Sequence, residues 1–204
     1  MAGHVDQYYG FAWQYYGKTT GAPVVTPGKQ YEIRVTHPDF PSISAVQIAP
    51  FPPNIDTITV KLDTTNTGGF FDGTATFSIT INDPQTERNF YEIYIKGDTY
   101  EFRLSSDDPN ARQGLNDNRM VVSDDFFNGK HYILRVSNSA VFEDSWTVVV
   151  RSVTEDFYKF SSTARLNSET QYNPFANPVQ VHSNVTGGLG IFSIAGETTV
   201  KVPR

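Results

Sequence analysis

The sequence predicts a mainly β protein, an antiparallel β-sandwich with one short helix in its C-terminal part. Three observations carry this. Apolar residues recur at every second position through most of the chain, whereas only one window repeats at helical spacing. Aromatic residues make up 14% of the chain, with 15 Phe and 11 Tyr against only 2 Met, a balance suited to half-buried strands. Gly, Pro and Asn/Asp groups punctuate the alternating runs, as turns between strands require.

Taken in order, Tyr31–Val35 alternates cleanly with apolar residues at 31, 33 and 35. The stretch HPDFPSISAVQIAPFPP carries four prolines from Pro41 to Pro53, and proline lacks the donor that a sheet ladder needs. Ile43–Ile48 therefore reads as an edge strand and Pro50–Pro53 as a stiff linker. Ile55–Leu62 alternates again, Gly68-Gly69 interrupts, and Ala75–Ile81 resumes with Phe77, Ile79 and Ile81 on one face. Asn89–Lys96 and Thr99–Leu104 form an expected hairpin across Gly97-Asp98. Ser105–Asn118 is polar and reads as a long surface loop. Asp124–Gly129 makes a turn into the strand His131–Val136, and the β-branched run Trp146–Val153 suggests a strand buried on both faces.

The helix is expected near Thr154–Asn167. Thr154 is a suitable N-cap, Glu155 and Asp156 complement the helix dipole, and Phe157, Phe160, Ala164 and Leu166 recur at helical spacing. Asn173-Pro174 should stop it. Val179–Val181, Gly190–Ile194 and Thr198–Val202 then read as strands. The expected domain boundary lies at Pro53, with a small N-terminal sheet over 1–53 and the sandwich over 54–204.

A net charge of −6 offers no basic surface, so no nucleic-acid partner is expected. With no cysteine there is no disulfide, thiolate metal site or cysteine nucleophile. No apolar run is long enough for a membrane-spanning helix, and MAGHVDQYYG lacks the regions of a signal peptide.

Gly187-Gly188-Leu189-Gly190 lacks the lysine and following helix of a P-loop, so a turn between strands explains it better. Asn184-Val185-Thr186 fits a glycosylation sequon but reads as turn sequence. His4, His37, His131 and His182 are scattered without metal-ligand spacing, and no metal or cofactor is expected. Asp107-Asp108-Pro109-Asn110, Asn116-Asp117-Asn118 and Asp124-Asp125 offer hard oxygen ligands, but not at EF-hand spacing, and Asx turns account for the same letters. No GxSxG elbow is present, and a pair of catalytic carboxylates would meet only in three dimensions. Two places remain as candidate ligand contacts. Trp13 and Tyr15 anchor the aromatic stretch Tyr8–Tyr16, which reads first as a strand with aromatics on both faces and second as a stacking surface. Arg112, Asn116, Asp117 and Arg119 close the polar loop with mixed charge and amide groups.

The segments SDDFFNGKHY, Trp146–Val153, Asp156-Phe157-Tyr158 and NPFANPVQVHSNVTGGLGIF together resemble one family. It comprises uncharacterised Bacteroidota lipoproteins that carry a domain of unknown function and are commonly encoded beside SusC-like TonB-dependent transporters. The strand NFYEIYI and the loop LSSDDPN extend the resemblance, which covers about residues 25–204. It implies a lipid-anchored protein at the outer-membrane surface, whose anchor and most of whose first, carboxypeptidase-regulatory-like β domain are absent from this chain. The remainder of that domain would be GKQYEIRVTHPDFPSISAVQIAPFPP. The implied role is non-catalytic: accessory to nutrient uptake, binding a glycan or peptide or a SusC/SusD-like transporter. A surface hydrolase and a structural or adhesive module are the alternatives. The family supplies no catalytic residues to carry over.

Overall fold

The computed structural model describes residues 2–8, 11–17, 24–63, 73–98, 100–139, 143–170, 175, 177 and 179–204, the first two stretches for their backbone only. The alternation seen in the sequence becomes twelve strands among the described residues, all paired antiparallel, and one helix.

The core is made by two sheets. The smaller has the order β10-β6-β5, with β5 (Ile55–Asp63), β6 (Thr74–Asn82) and β10 (His131–Asn138). The larger has the order β12-β11-β7-β9-β8, with β7 (Phe90–Lys96), β8 (Ala111–Gln113), β9 (Arg119–Ser123), β11 (Ser145–Val153) and β12 (Ala195–Pro203). Ala75, Phe77, Ile79 and Ile81 are fully buried at alternate positions of β6, while the residues between them are only partly covered. That alternation lets one face of the small sheet close on Tyr91, Ile93 and Ile95 of β7 and on Trp146, Val148 and Val150 of β11. Phe77 meets Trp146 edge-to-face across the interior at 5.4 Å between centroids. Such a pair adds about 1 kcal/mol beyond the area it buries. The arrangement is a sandwich and not a closed barrel.

Helix α1 (Glu155–Thr170) follows β11 directly. The Thr154 Oγ1 accepts a hydrogen bond from the Phe157 amide at 3.3 Å, the cap expected from the sequence. Tyr158 packs on Phe90 at 5.0 Å, and Phe90 points away from the sandwich interior. The helix therefore covers part of the outer face of the larger sheet. Leu166 does not join that face and is exposed.

β1 (Ala2–Tyr8) pairs with β2 (Phe11–Gly17), and β3 (Gln30–His37) pairs with β4 (Phe40–Ile48). Ala45, Gln47 and Ala49, at alternate positions along β4 and just past its end, are buried. The proline linker lies on the start of β12, where the Thr198 hydroxyl donates to the Pro53 carbonyl at 2.7 Å. At Gly196 a Cβ would come within 2.6 Å of the Pro52 nitrogen, so only glycine admits the linker there.

Four expected elements differ. Of the expected strand Thr99–Leu104, the described part, residues 100–104, is not a strand. The Phe102 amide bonds to the Ile95 carbonyl and Glu101 bridges Lys96, but the neighbouring position along β7 is taken by β9. Ser105–Asn118 is not simply a loop, because Ala111–Gln113 adds an edge strand. Val179–Val181 and Gly190–Ile194 are irregular. Thr186 instead makes a two-hydrogen-bond bridge to Ser44 of β4. Gly187, at φ 80°, approaches the Ser42 carbonyl so closely that a Cβ would sit 2.8 Å from it. The glycine run thus serves a close approach to β4 and not a turn between two strands. The expected helix stop at Asn173-Pro174 lies outside the described residues.

Candidate functional site

The polar segment from Ser105 to Arg119 holds most of the residues proposed from sequence, and its two ends differ. At the later end, Asn116 builds a turn: its side-chain oxygen accepts the Asn118 amide at 3.0 Å, and the Arg119 amide bonds to its carbonyl at 2.9 Å. Asp117 is bound by Arg165 of α1, with Arg103 at 3.7 Å. The hydrogen bond from Arg165 holds the Asp117 carboxyl below its ordinary range. Leu115 donates its amide to the Ser161 hydroxyl at 3.0 Å, tying the same turn to the buried side of the helix.

Arg119 belongs to a charge network across the outer face of the larger sheet. Antiparallel register sets Glu92 opposite Arg151, Arg151 opposite Glu197, and Tyr94 opposite Arg119. Arg119 forks onto Glu101 at 2.8 and 3.1 Å and reaches Glu92 at 3.1 Å. Arg151 bonds Glu197 at 2.8 Å and the Tyr94 hydroxyl at 3.0 Å. Both guanidinium groups lie over the Tyr94 ring, at 4.3 and 4.9 Å. The Glu92 side chain is only 5% exposed, so its charge is tolerated because two arginines share it. Three of the four loop residues are thus spent within the protein. Arg112, by contrast, has no ion pair among the described residues and lies exposed on the edge strand β8. Trp13 and Tyr15 fall in β2 opposite Asp6 and His4, and their side chains lie outside the described residues.

The earlier end of the segment is different. Ser105 and Ser137 bridge through both backbone hydrogen bonds, and the Ser106 hydroxyl donates to the Arg135 carbonyl at 2.5 Å. This fastens the segment along the edge of β10. The Asp108 carboxylate accepts the Asn110 amide at 3.0 Å and the Tyr132 hydroxyl through its other oxygen. Tyr132 is itself stacked on Phe127 at 3.8 Å. Burial, and then the hydrogen bond to Asp108, raise the Tyr132 hydroxyl well above its ordinary pKa, so it stays a donor. Between these groups and Thr76, Arg135 and Ser137 lies an open cleft of about 500 Å³. Asp107 and Arg135 line it, are exposed, and have no ion pair among the described residues.

A second cleft, of about 530 Å³, lies where β4 and Phe51 meet Arg88–Phe90 and the β11–α1 corner. Its arginine is already paired. Arg88 pairs with Asp125 at 2.7 Å and Glu155 at 3.2 Å, and the Asn89 amide donates to the Glu87 and Pro84 carbonyls. Beside it, Asp156 gathers Gln47 at 2.5 Å, His182 at 2.8 Å and Asn184 at 3.4 Å. Burial alone would raise that carboxyl, but these three hydrogen bonds outweigh it and hold its pKa low. The arrangement joins β4, the helix start and the chain after residue 179. Asn184 also clamps Phe192 through two bonds, to its carbonyl at 2.8 Å and from its amide at 2.9 Å, so the sequon amide is occupied in the fold.

A buried carboxylate pair completes the inventory. Asp83 accepts the Tyr91 hydroxyl at 2.5 Å and the Gly129 amide at 2.8 Å, and Asp124 accepts the Asn89 amide at 2.7 Å through one oxygen. The other Asp124 oxygen is buried without a partner among the described residues. Burial, aided by the charge on Asp83, raises the Asp124 pKa. No group of three or more His, Asp or Glu side chains is placed to hold a metal among the described residues. No helix among them is long and apolar enough to cross a membrane.

The cleft lies at the earlier end of the polar segment, and the residues expected from sequence lie at its later end. Asp107-Asp108-Pro109-Asn110 was legible as an Asx turn, which it is, and Tyr132 and Arg135 are ordinary alternating residues of a strand. Compared with curated proteins, the chain finds no match. A family model does match, over residues 5–201, and the chain belongs to the family that it describes as a domain of unknown function, DUF4249.

Proposed function

We propose that this protein is a non-catalytic, lipid-anchored module of the bacterial outer-membrane surface, in Bacteroidota. In this reading it is accessory to a TonB-dependent system for glycan or peptide uptake and binds a substrate or the SusC/SusD-like transporter. The observation that carries the binding reading is the cleft beside β10. It holds a cation and an anion that are unpaired among the described residues, on a backbone already fastened by its own hydrogen bonds. A rigid sandwich that presents polar groups on a loop suits recognition. The surface and transporter parts of the reading rest on the resemblance of SDDFFNGK and NPFANPVQVHSNVTGGLGIF.

Affinity purification of the tagged protein from solubilised outer membranes tests it. Recovery of a TonB-dependent transporter in stoichiometric amount is expected. Recovery without any transporter, together with no binding to glycans or peptides, would overturn the accessory role and leave the adhesive alternative. The hydrolase alternative has one observation in its favour, the half-buried His182–Asp156 pair, since a carboxylate can orient a histidine base. Turnover of a glycan or peptide that is abolished in His182→Ala would establish it in place of the binding role.

A further inference from the structure

We propose that the cleft between residues 105–110 and the edge of β10 binds a saccharide, with Asp107, Asp108 and Arg135 as its principal contacts. This rests on the binding reading above and names the ligand class. A sugar hydroxyl is at once a donor and an acceptor, and a cleft suited to it must offer both kinds of partner side by side. Here the carboxylates supply the acceptors. Asp108 has two of its lone-pair sites occupied, by Tyr132 and the Asn110 amide, which fix its orientation and leave others open. Asp107 is without an ion pair among the described residues. Arg135 supplies up to five donors, none committed to a carboxylate among the described residues.

The alternative of a peptide side-chain pocket fits less well. Among the described residues, Pro109 is the only apolar side chain lining the cleft apart from the Tyr132 ring, and Phe127 already stacks on that ring. An apolar peptide anchor would find little surface to bury. Hydrogen bonds between charged groups and neutral hydroxyls are individually stronger than neutral ones, and here Asp108 is oriented before the ligand arrives. The volume of about 500 Å³ falls within the usual range for small-ligand sites.

Titration calorimetry of the whole chain against maltohexaose, xylohexaose, laminarihexaose and chitohexaose, with trialanine as the peptide probe, tests the assignment. Binding of at least one oligosaccharide is expected. Arg135→Ala and Asp107→Asn should each weaken it by about tenfold, the equivalent of one charged hydrogen bond, with unchanged urea midpoints. Oligosaccharide binding that neither variant weakens would place the sugar elsewhere and overturn the site. Binding of trialanine alone would overturn the ligand class while leaving the binding role intact. No binding by any probe would overturn the proposal, and the accessory role would then be decided separately by whether the transporter co-purifies.

Discussion

At one end of the segment between Ser105 and Arg119, Asp107 and Arg135 face an open cleft without ion pairs among the described residues. At the other, Asp117 and Arg119 are matched by Arg165, Glu92 and Glu101. The letters are similar, Asx-rich turns with a nearby arginine, but their surroundings differ. The later end runs into β9, in the interior of a five-stranded sheet, and under α1, so register and helix packing bring counter-charges to it. The earlier end runs along β10, the outer strand of the three-stranded sheet, where one flank is open to solvent. Polar residues of the first kind hold the fold together. Those of the second kind remain available to a ligand.

Arg119→Ala is the substitution that should separate the two ends most sharply. It leaves the nearly buried Glu92 with Arg151 alone and strands Glu101. A loss of about 3 kcal/mol is expected from urea unfolding. A loss under about 0.5 kcal/mol would show that the network is a surface decoration and that the comparison fails.

Ser161→Ala should act through the helix tie. It removes the acceptor of the Leu115 amide, which becomes half-buried and unsatisfied, at a cost of about 1–2 kcal/mol. Amide hydrogen exchange at Leu115 should rise as well. Unchanged exchange would mean that α1 does not fasten the turn.

A third carboxylate environment sharpens the contrast, because Asp124 is neither paired nor open. Its folded pKa is raised, so the folded state binds this proton more tightly than the unfolded chain does. That contribution to stability is fully present below the unfolded aspartate value of about 4 and is lost as pH rises through the higher folded value. The urea midpoint of the native protein relative to Asp124→Asn should therefore fall on going from acid to neutral pH. A difference independent of pH would show that the carboxyl is not strained by burial. Arg135→Ala, in the cleft, should have the smallest effect on folding, within about 0.5 kcal/mol. A larger loss would place Arg135 with the structural charges of the later end.

Much of the fold was legible because the side-chain period of a strand is a local property. Ala75–Ile81 and Trp146–Val153 show their buried faces in the sequence, and Thr154 with Glu155-Asp156 marks the helix start. Thr99–Leu104 was misread for a reason that local pattern cannot contain. It alternates well enough, but the place beside β7 is filled by Arg119–Ser123, which lies further along the chain. Val179–Val181 and Gly190–Ile194 failed similarly, since the hydrogen bonds there come from the Asn167, Ser183 and Asn184 side chains.

For the candidate site the division falls between residue type and partnership. The sequence by itself determined the β class, the capped helix, the Asx turns at Asp108 and Asn116, and the polarity of the segment that joins them. Each of these depends on a residue and its near neighbours. Only the tertiary structure decided which charges are neutralised. Glu92, Arg119 and Arg151 are brought together by sheet register over separations of 27 and 59 residues. Asp108 meets Tyr132 across 24 residues, and nothing in the alternation of β10 marks that contact. A charge is available for binding only when no counter-charge has reached it, and that depends on which strands become neighbours.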